Sequence, residues 1–397
     1  MSSMTRRYRT RVVAPIAALA VVLAACGGAE ESSDTADDAG DAQDASEDES
    51  QEAGSSGDFD PVTLSFASFV TDQNPHMIAF QAWMEEVTER TGGAVTFDTF
   101  YGEALCAGPE INACTADGRV DIGFTTATYT PADFPVATVA NVPFLTSNLQ
   151  ANVNALNQLY DESDDLRGEF ESQNQHLLYF GPVGLPVLAM TTEITSLDDF
   201  DGLSIRAVGA LGGAFEALGI NPVAVAPAEQ YESLQRGVLD GSAFTIDGHA
   251  DFRHFEVADY WYDLGEYSGS YAAMHTSINL DTWNALDPQI QEIMTDVSDS
   301  LASTITSEFF LATDERDCAT VVEGAAEFGR LQPEDAAEAW ADEWGDVLLA
   351  EWIERADEAG TSDAAGLADR YIELLEEQEA ANPDFRGAGE ICVDLAS

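Results

Sequence analysis

The sequence has no lysine. All 15 basic residues are arginine, set against 73 acidic ones, and the formal charge is −58. So acidic a surface excludes nucleic acid and anionic membrane surfaces as partners, because both would be repelled. It suits a salt-rich habitat, where dense counterions screen the self-repulsion that otherwise loosens a compact chain. Long apolar runs are also scarce. After residue 25 no continuous apolar run approaches the roughly 20 residues needed to cross a bilayer, and the uncharged stretch 134–160 is broken throughout by asparagine, glutamine, serine and threonine. Signatures of catalysis are missing as well: there is no GxSxG elbow, no HExxH helix, no Walker-type phosphate loop and no CxxC pair. Gly209-Ala210-Leu211-Gly212-Gly213 lacks the GxGxxG spacing of a dinucleotide site. The chain reads as a protein that is not an enzyme and needs no cofactor or metal.

What is present suffices for a sizeable core. Hydrophobic residues make up 45% and aromatics 9% of 397 residues, a length that suggests about two domains. At the N-terminus, Arg6, Arg7, Arg9 and Arg11 precede an apolar run over residues 12–25 that is too short to span a bilayer but fits an export signal. It ends in Leu23-Ala24-Ala25-Cys26, which matches the bacterial lipobox. Residues 1–25 then form a lipoprotein signal peptide and Cys26 carries the lipid, the plainer alternative being an ordinary signal with a chance cysteine. Residues 26–60 read as an acidic disordered tether: 13 acidic residues and one aromatic, Phe59, cannot offset the entropy of ordering. Removing those 13 acids and the four signal arginines leaves 60 acidic and 11 basic residues, near −49.

Four cysteines remain, Cys106, Cys114, Cys318 and Cys392, an even number on an exported chain and hence two disulfides. Three pairings are possible; a local Cys106–Cys114 loop with a Cys318–Cys392 pin on the C-terminus is favoured. A cluster of Asp247, His249, Asp251 and His254 has the donors for a cation, although such a run is more often a solvated helix start.

Strand and helix signals alternate. Val62, Leu64 and Phe66 alternate with polar residues, and Asn74-Pro75 opens a helix with Phe80, Trp83, Met84 and Val87 on one face. Residues 95–101 read as a strand, 109–117 as a helix and 121–124 as a buried strand. Strands at 177–180, 187–191, 203–207 and 223–225 and helices at 213–218 and 230–236 continue the pattern. From Asp287 the signal is helical, broken at Gly329, Pro333 and Gly360. The order predicts an α/β protein with mostly parallel sheet and a helical C-terminal third.

One stretch is more specific. Leu197-Asp198-Asp199-Phe200-Asp201-Gly202-Leu203-Ser204-Ile205-Arg206 leads through Ala217-Leu218-Gly219-Ile220-Asn221-Pro222-Val223 to Glu229-Gln230-Tyr231-Glu232-Ser233-Leu234-Gln235-Arg236-Gly237-Val238-Leu239-Asp240-Gly241. With Glu89-Arg90-Thr91-Gly92-Gly93, Gly118-Arg119-Val120-Asp121-Ile122-Gly123 and Val142-Pro143-Phe144-Leu145, this resembles the extracytoplasmic solute-binding proteins of TRAP transporters, the tripartite ATP-independent importers of small organic acids. The ordered matches span residues 62–270. The resemblance implies a two-lobed periplasmic-binding-protein-like α/β fold with the ligand cleft between the lobes and a helical C-terminal region. Lobe I would hold 62–183 plus 272–311, and lobe II 184–271 plus 312–397.

It also implies a site. The family's carboxylate-binding arginine corresponds to Arg206, whose planar guanidinium can grip a carboxylate with two prongs. The alternative is a structural pair with Asp199 or Asp240. A second arginine common in the family near Gly184-Leu185-Pro186 is absent, and Phe244 stands where a polar contact is frequent. One firm anchor and an aromatic lining are therefore expected, with Phe69, Tyr101, Tyr129, Phe180 and Phe244 as lining candidates and His76 as a donor or helix cap. A monocarboxylate, an aromatic or keto acid, or a zwitterionic osmolyte would suit; dicarboxylates are disfavoured. The implied function is that of a receptor, lipid-anchored on the outer face of the cytoplasmic membrane, that passes a small organic acid to TRAP permease subunits and touches the membrane only through its lipid. Competing readings are an ABC-importer binding protein, a secreted hydrolase and a surface lipoprotein without a small ligand.

Overall fold

Two mixed sheets organise the chain. The structure is a computed structural model that describes residues 59–264, 274–305, 309–331, 334–383 and 385–397. The signal segment, Cys26 and all of the expected tether except Phe59 and Asp60 lie outside the described residues. Phe59 is a correction to that tether, for it packs against the core of the first sheet.

The first sheet contains β1 (Val62–Ser68), β2 (Val95–Phe100), β3 (Ile122–Thr126), β4 (Gln175–Gly181) and β10 (Met274–Asn279) in the order β2-β1-β3-β10-β4. The second contains β5 (Val187–Met190), β6 (Ser204–Arg206), β7 (Asn221–Val223), β8 (Gly241–Phe244), β9 (Tyr260–Asp263) and β11 (Glu327–Arg330) in the order β11-β9-β5-β8-β6-β7. β1 is parallel to β2 and β3, and β6 is parallel to β7 and β8. The expected parallel character fails at one strand in each sheet. β10 is antiparallel to β3 and β4, and β5 is antiparallel to β8 and β9. Both follow a strand of the other sheet, so no helical crossover within one sheet constrains their direction. The break expected at Gly329 in the C-terminal helices is there, and it is a strand: β11, paired parallel with β9.

The helices pack according to their apolar stripes. α1 (Pro75–Arg90) starts at Asn74, whose side chain accepts from the His76 amide, has Pro75 in its first turn, and buries Phe80, Trp83, Met84 and Val87. It stops where Gly92 and Gly93 take φ of 64° and 84°, a conformation that favours glycine. α2 (Ile111–Ala116), α8 (Leu280–Ala285) and α9 (Pro288–Ile305) join it on the first sheet, with Trp83 Nε1 donating to Ser298 Oγ at 3.0 Å. α3 (Leu149–Glu162) and α4 (Asp164–Ser172) build a second core against β4 around Phe134, Phe170 and Phe180. α5 (Ala210–Glu216), α6 (Pro227–Gln235), α7 (Ile246–Asp251), α10 (Leu311–Gly324) and α13 (Ala388–Ala396) serve the second sheet.

Residues 312–397 do not stay with the second sheet as a block. α11 (Glu334–Ala359) contributes Trp340 and Leu348 to the second sheet's core, then Trp352 and Ala356 to the core around α3. α12 (Ala364–Ala381) packs on α3, with Tyr371 Oη accepting from Asn152 Nδ2 at 2.8 Å. The chain then returns to the second sheet, where Cys392 on α13 is joined to Cys318 on α10; Cys106 is joined to Cys114. Among the described residues no helix is long and apolar enough to cross a membrane.

Candidate functional site

Strands present side chains at their carboxyl ends, and where two sheets face each other those ends enclose space. Here the ends of β3, β6 and β8 and the start of α1 enclose a cavity of about 690 Å³, its mouth included. Phe69, His76, Thr126, Thr128 and Tyr129 line it from the first sheet, and Arg206, Phe244 and Asp247 from the second.

Arg206, the last residue of β6, is 2% exposed. Its Nη1 donates to the carbonyl of Ala243 at 3.1 Å and its Nε to that of Val225 at 3.5 Å. The guanidinium carbon lies 4.7 Å from the Phe244 ring centroid, within cation–π range. Nη2 is buried with no partner, and Arg206 forms no ion pair among the described residues. The structural pairing with Asp199 or Asp240 is absent: Asp199 accepts from the amides of Thr195 and Ser196, and Asp240 from the amide of Ser204. Burial lowers the pKa of Arg206, opposed by the adjacent Tyr129, and raises that of Tyr129, opposed chiefly by Arg206. Two neutral carbonyls, the neighbouring Tyr129 hydroxyl and an aromatic face hold the guanidinium in place and leave its charge without a carboxylate counter-ion.

The lining separates the sequence-derived candidates. Phe69, His76, Tyr129, Arg206 and Phe244 meet at the cavity, whereas Tyr101 and Phe180 are not part of its wall. Tyr101 follows the edge strand β2, and its ring meets Phe66 edge-on at 5.9 Å. Phe180 is fully buried against Phe170 and Tyr160 in the core beneath α3 and α4. Asn74, not His76, caps α1; the His76 ring is buried in the wall, and burial brings its pKa down to about 3, so it is neutral.

Thr126, Thr128, Asn141 and Asp247 were not anticipated as lining. Thr126 ends β3 and Thr128 lies just beyond it, where the strand-end rule points, and Asn141 directly precedes the Val142-Pro143-Phe144-Leu145 motif. Asn141 Oδ1 accepts from the amide of Ala210 at 2.8 Å and would lie 1.9 Å from a Cβ at Gly209, whose φ is +62°; only glycine fits that approach.

The proposed cation cluster dissolves into other contacts. His249 Nε2 lies 2.9 Å from the Val187 carbonyl and must carry the proton there, so its Nδ1 accepts from His254 Nδ1 at 2.8 Å. Asp247 and Asp251 each accept from Asn74 Nδ2, at 2.9 and 3.0 Å. No group of three or more metal-type side chains is placed to hold an ion among the described residues.

These buried groups set a pH dependence. Burial, then the charge of Asp247, pushes Asp251 up to about 7, and burial, then Asp247 and Asp317, pushes Asp314 up to about 8. The folded state therefore binds protons on both groups that the unfolded state releases above about pH 4, and stability falls as pH rises through 7 and 8. Burial lowers His76 and His254 to about 3 and His176 to about 4, so their contribution is complete above pH 6.5 and is lost as pH falls below it. Burial raises Glu169 to about 8 as well, so below pH ~6.5 the carboxyls and histidines roughly offset one another, and above it only the carboxyl loss remains; stability is expected to decline from about pH 6.5 to 8. Asp314→Asn should stabilise the protein at both pH 5 and pH 8.5, and by about 1–3 kcal/mol more at pH 8.5. Urea unfolding at the two pH values measures this, and an equal effect at both contradicts it.

The comparisons with known proteins agree with this architecture. The model of the family described as bacterial extracellular solute-binding protein, family 7, matches residues 66–350. A C4-dicarboxylate-binding periplasmic protein, DctP, of Rhodobacter capsulatus is 24% identical over 320 residues, 78% of this chain and 90% of the relative. A solute-binding protein of Chromohalobacter salexigens is 26% identical over 202 residues, 49% of this chain and 57% of the relative, so the match spans little more than half of that protein. The crystal structure of a TRAP solute-binding protein from Rhodoferax ferrireducens, in complex with copurified benzoate, superimposes with a TM-score of 0.70 at 21% identity, covering 81% of this chain and 99% of that one. With a two-lobed α/β fold and a family match across most of its length, the chain belongs to the extracytoplasmic solute-binding proteins of TRAP transporters.

Proposed function

We propose that this chain is the lipid-anchored receptor of a TRAP-type importer, which captures a small organic acid between its two sheets and presents it to the membrane permease. Arg206 carries the reading. A buried guanidinium with no carboxylate partner and one unsatisfied Nη2 fits a site whose counter-ion is the ligand. The neutral His76 adds no second positive charge, which favours one carboxylate over two. Phe69, Tyr129 and Phe244 offer flat apolar walls, and the Rhodoferax structure carries benzoate, an acid of that kind. The basic start, apolar run and Cys26 support the anchor, and the acidic stretch after it supports a tether that holds the domain off the membrane.

A thermal-shift screen of the chain in high salt against monocarboxylates, aromatic acids, keto acids and dicarboxylates tests the receptor reading. A ligand at a hundredfold excess over its Kd adds about 2.7 kcal/mol to stability, which is easily seen as a rise in Tm. At least one monocarboxylate should give such a shift and dicarboxylates should not; a panel with no shift refutes carboxylate capture.

A further inference from the structure

The cavity wall carries a carboxylate as well as a guanidinium. Asp247, in the first turn of α7, is 8% exposed and lines the same space as Arg206. Its Oδ2 accepts from Asn74 Nδ2 at 2.9 Å, and its Oδ1 accepts no hydrogen bond among the described residues. The two charged groups form no ion pair with each other. Behind Asp247, Asp251 shares the Asn74 amide, and Asp314, Asp317 and Arg316 are close enough to interact with its charge. Arg316 pairs with Asp317 at 2.8 Å. Asp251 and Asp314 are held largely protonated by burial, which leaves Asp247 as the carboxylate that faces the cavity. A simple organic anion satisfies Arg206 and is repelled at the other group. A ligand bearing a fixed positive nitrogen satisfies both, and the rings of Phe69 and Tyr129 in the same wall offer faces that attract cations.

We propose that the cleft selects zwitterions, with the carboxylate held by Arg206 and a cationic nitrogen directed toward Asp247. This deepens the receptor reading and rests on it. Water exclusion in a closed cleft strengthens both contacts together, so a net-neutral ligand with separated charges is favoured over an anion of the same shape.

Isosteric pairs that differ only in nitrogen for carbon test the proposal: glycine betaine against 3,3-dimethylbutanoate, and N-methylnicotinate against 3-methylbenzoate. Titration calorimetry of the full chain should show the zwitterion of a pair binding at least about tenfold more tightly than its carbon isostere. Asp247→Asn, which keeps the shape and an oxygen for Asn74, should reduce that ratio to about twofold or less, chiefly by tightening the anion. If the anions bind the unmodified chain as tightly as the zwitterions, or if Asp247→Asn leaves the ratio unchanged, the zwitterion proposal is wrong while carboxylate capture stands. If neither member of either pair binds and no acid shifts the melting temperature, both readings fall. The comparison on the unmodified chain decides the matter even where the variant does not fold.

Discussion

Arg206→Ala is expected to weaken carboxylate binding by about a hundredfold or more, corresponding to the 2–5 kcal/mol typical when one partner of a buried charge pair is removed. The expectation follows from how the guanidinium is held. Its Nη1 and Nε are committed to the carbonyls of Ala243 and Val225 and its face to Phe244, so the group is oriented before any ligand arrives. Preorganisation leaves little ordering cost at binding, and the unsatisfied Nη2 gains a partner only then. Arg206→Lys should recover part of the affinity, since a compact ammonium supplies charge but not a planar fork. A stability measurement separates the ligand-binding role from a structural one. A guanidinium that pins the fold should destabilise the ligand-free protein by several kcal/mol when removed. Here the charge is buried without a counter-ion, so Arg206→Met should leave the ligand-free protein as stable as the parent or slightly more so. Affinity measured by calorimetry and stability measured by urea unfolding give the two readouts. Loss of stability with unchanged affinity would contradict the assignment.

Much of this site was legible in the sequence because its parts are local. Arg206 ends a strand in a chain with few cations, and Phe69, Tyr129 and Phe244 each lie at or just after a strand end, where α/β folds place ligands. What could not be read locally was misplaced. Tyr101 also follows a strand, but β2 is the sheet edge, and strand order depends on pairings between distant segments. Phe180 sits on β4 with its neighbour Tyr179 in a different core, and strand periodicity alone does not say which face meets the cleft. Asp247 resembled a solvated helix start because its partner, Asn74, lies 173 positions away. The same limit hid β10 and the return of α12 to α3. Their sequences allow these elements, but only tertiary contacts assign them to a sheet.

Removing the Cys318–Cys392 bridge is expected to cost about 4.5 kcal/mol, against about 2.5 kcal/mol for Cys106–Cys114. Both pairs are buried, and replacing both cysteines of either with alanine deletes the same sulfur atoms, so most of the difference arises from the unfolded chain. The first bridge joins residues 74 apart and the second residues 8 apart, and closing a longer loop removes more freedom from the denatured ensemble. The segment between Cys318 and Cys392 contains β11, α11 and α12 and makes the excursion from the second sheet to α3 and back. The bridge fixes its return by holding α13 on α10, in the core that contains Val187, Trp261 and Phe328. Val187 is also the residue whose carbonyl accepts the hydrogen bond from His249 Nε2, one strand from the Ala243 carbonyl that holds Arg206. The long-loop variant should therefore lose ligand affinity as well as stability, whereas the short-loop variant should lose stability with little change in affinity. Urea unfolding and calorimetry on the two double variants, each compared with the parent under oxidising conditions, test this. Equal stability losses would mean that denatured-chain entropy does not set the difference, and unchanged affinity in the long-loop variant would mean that α13 does not support the strands behind the anchor.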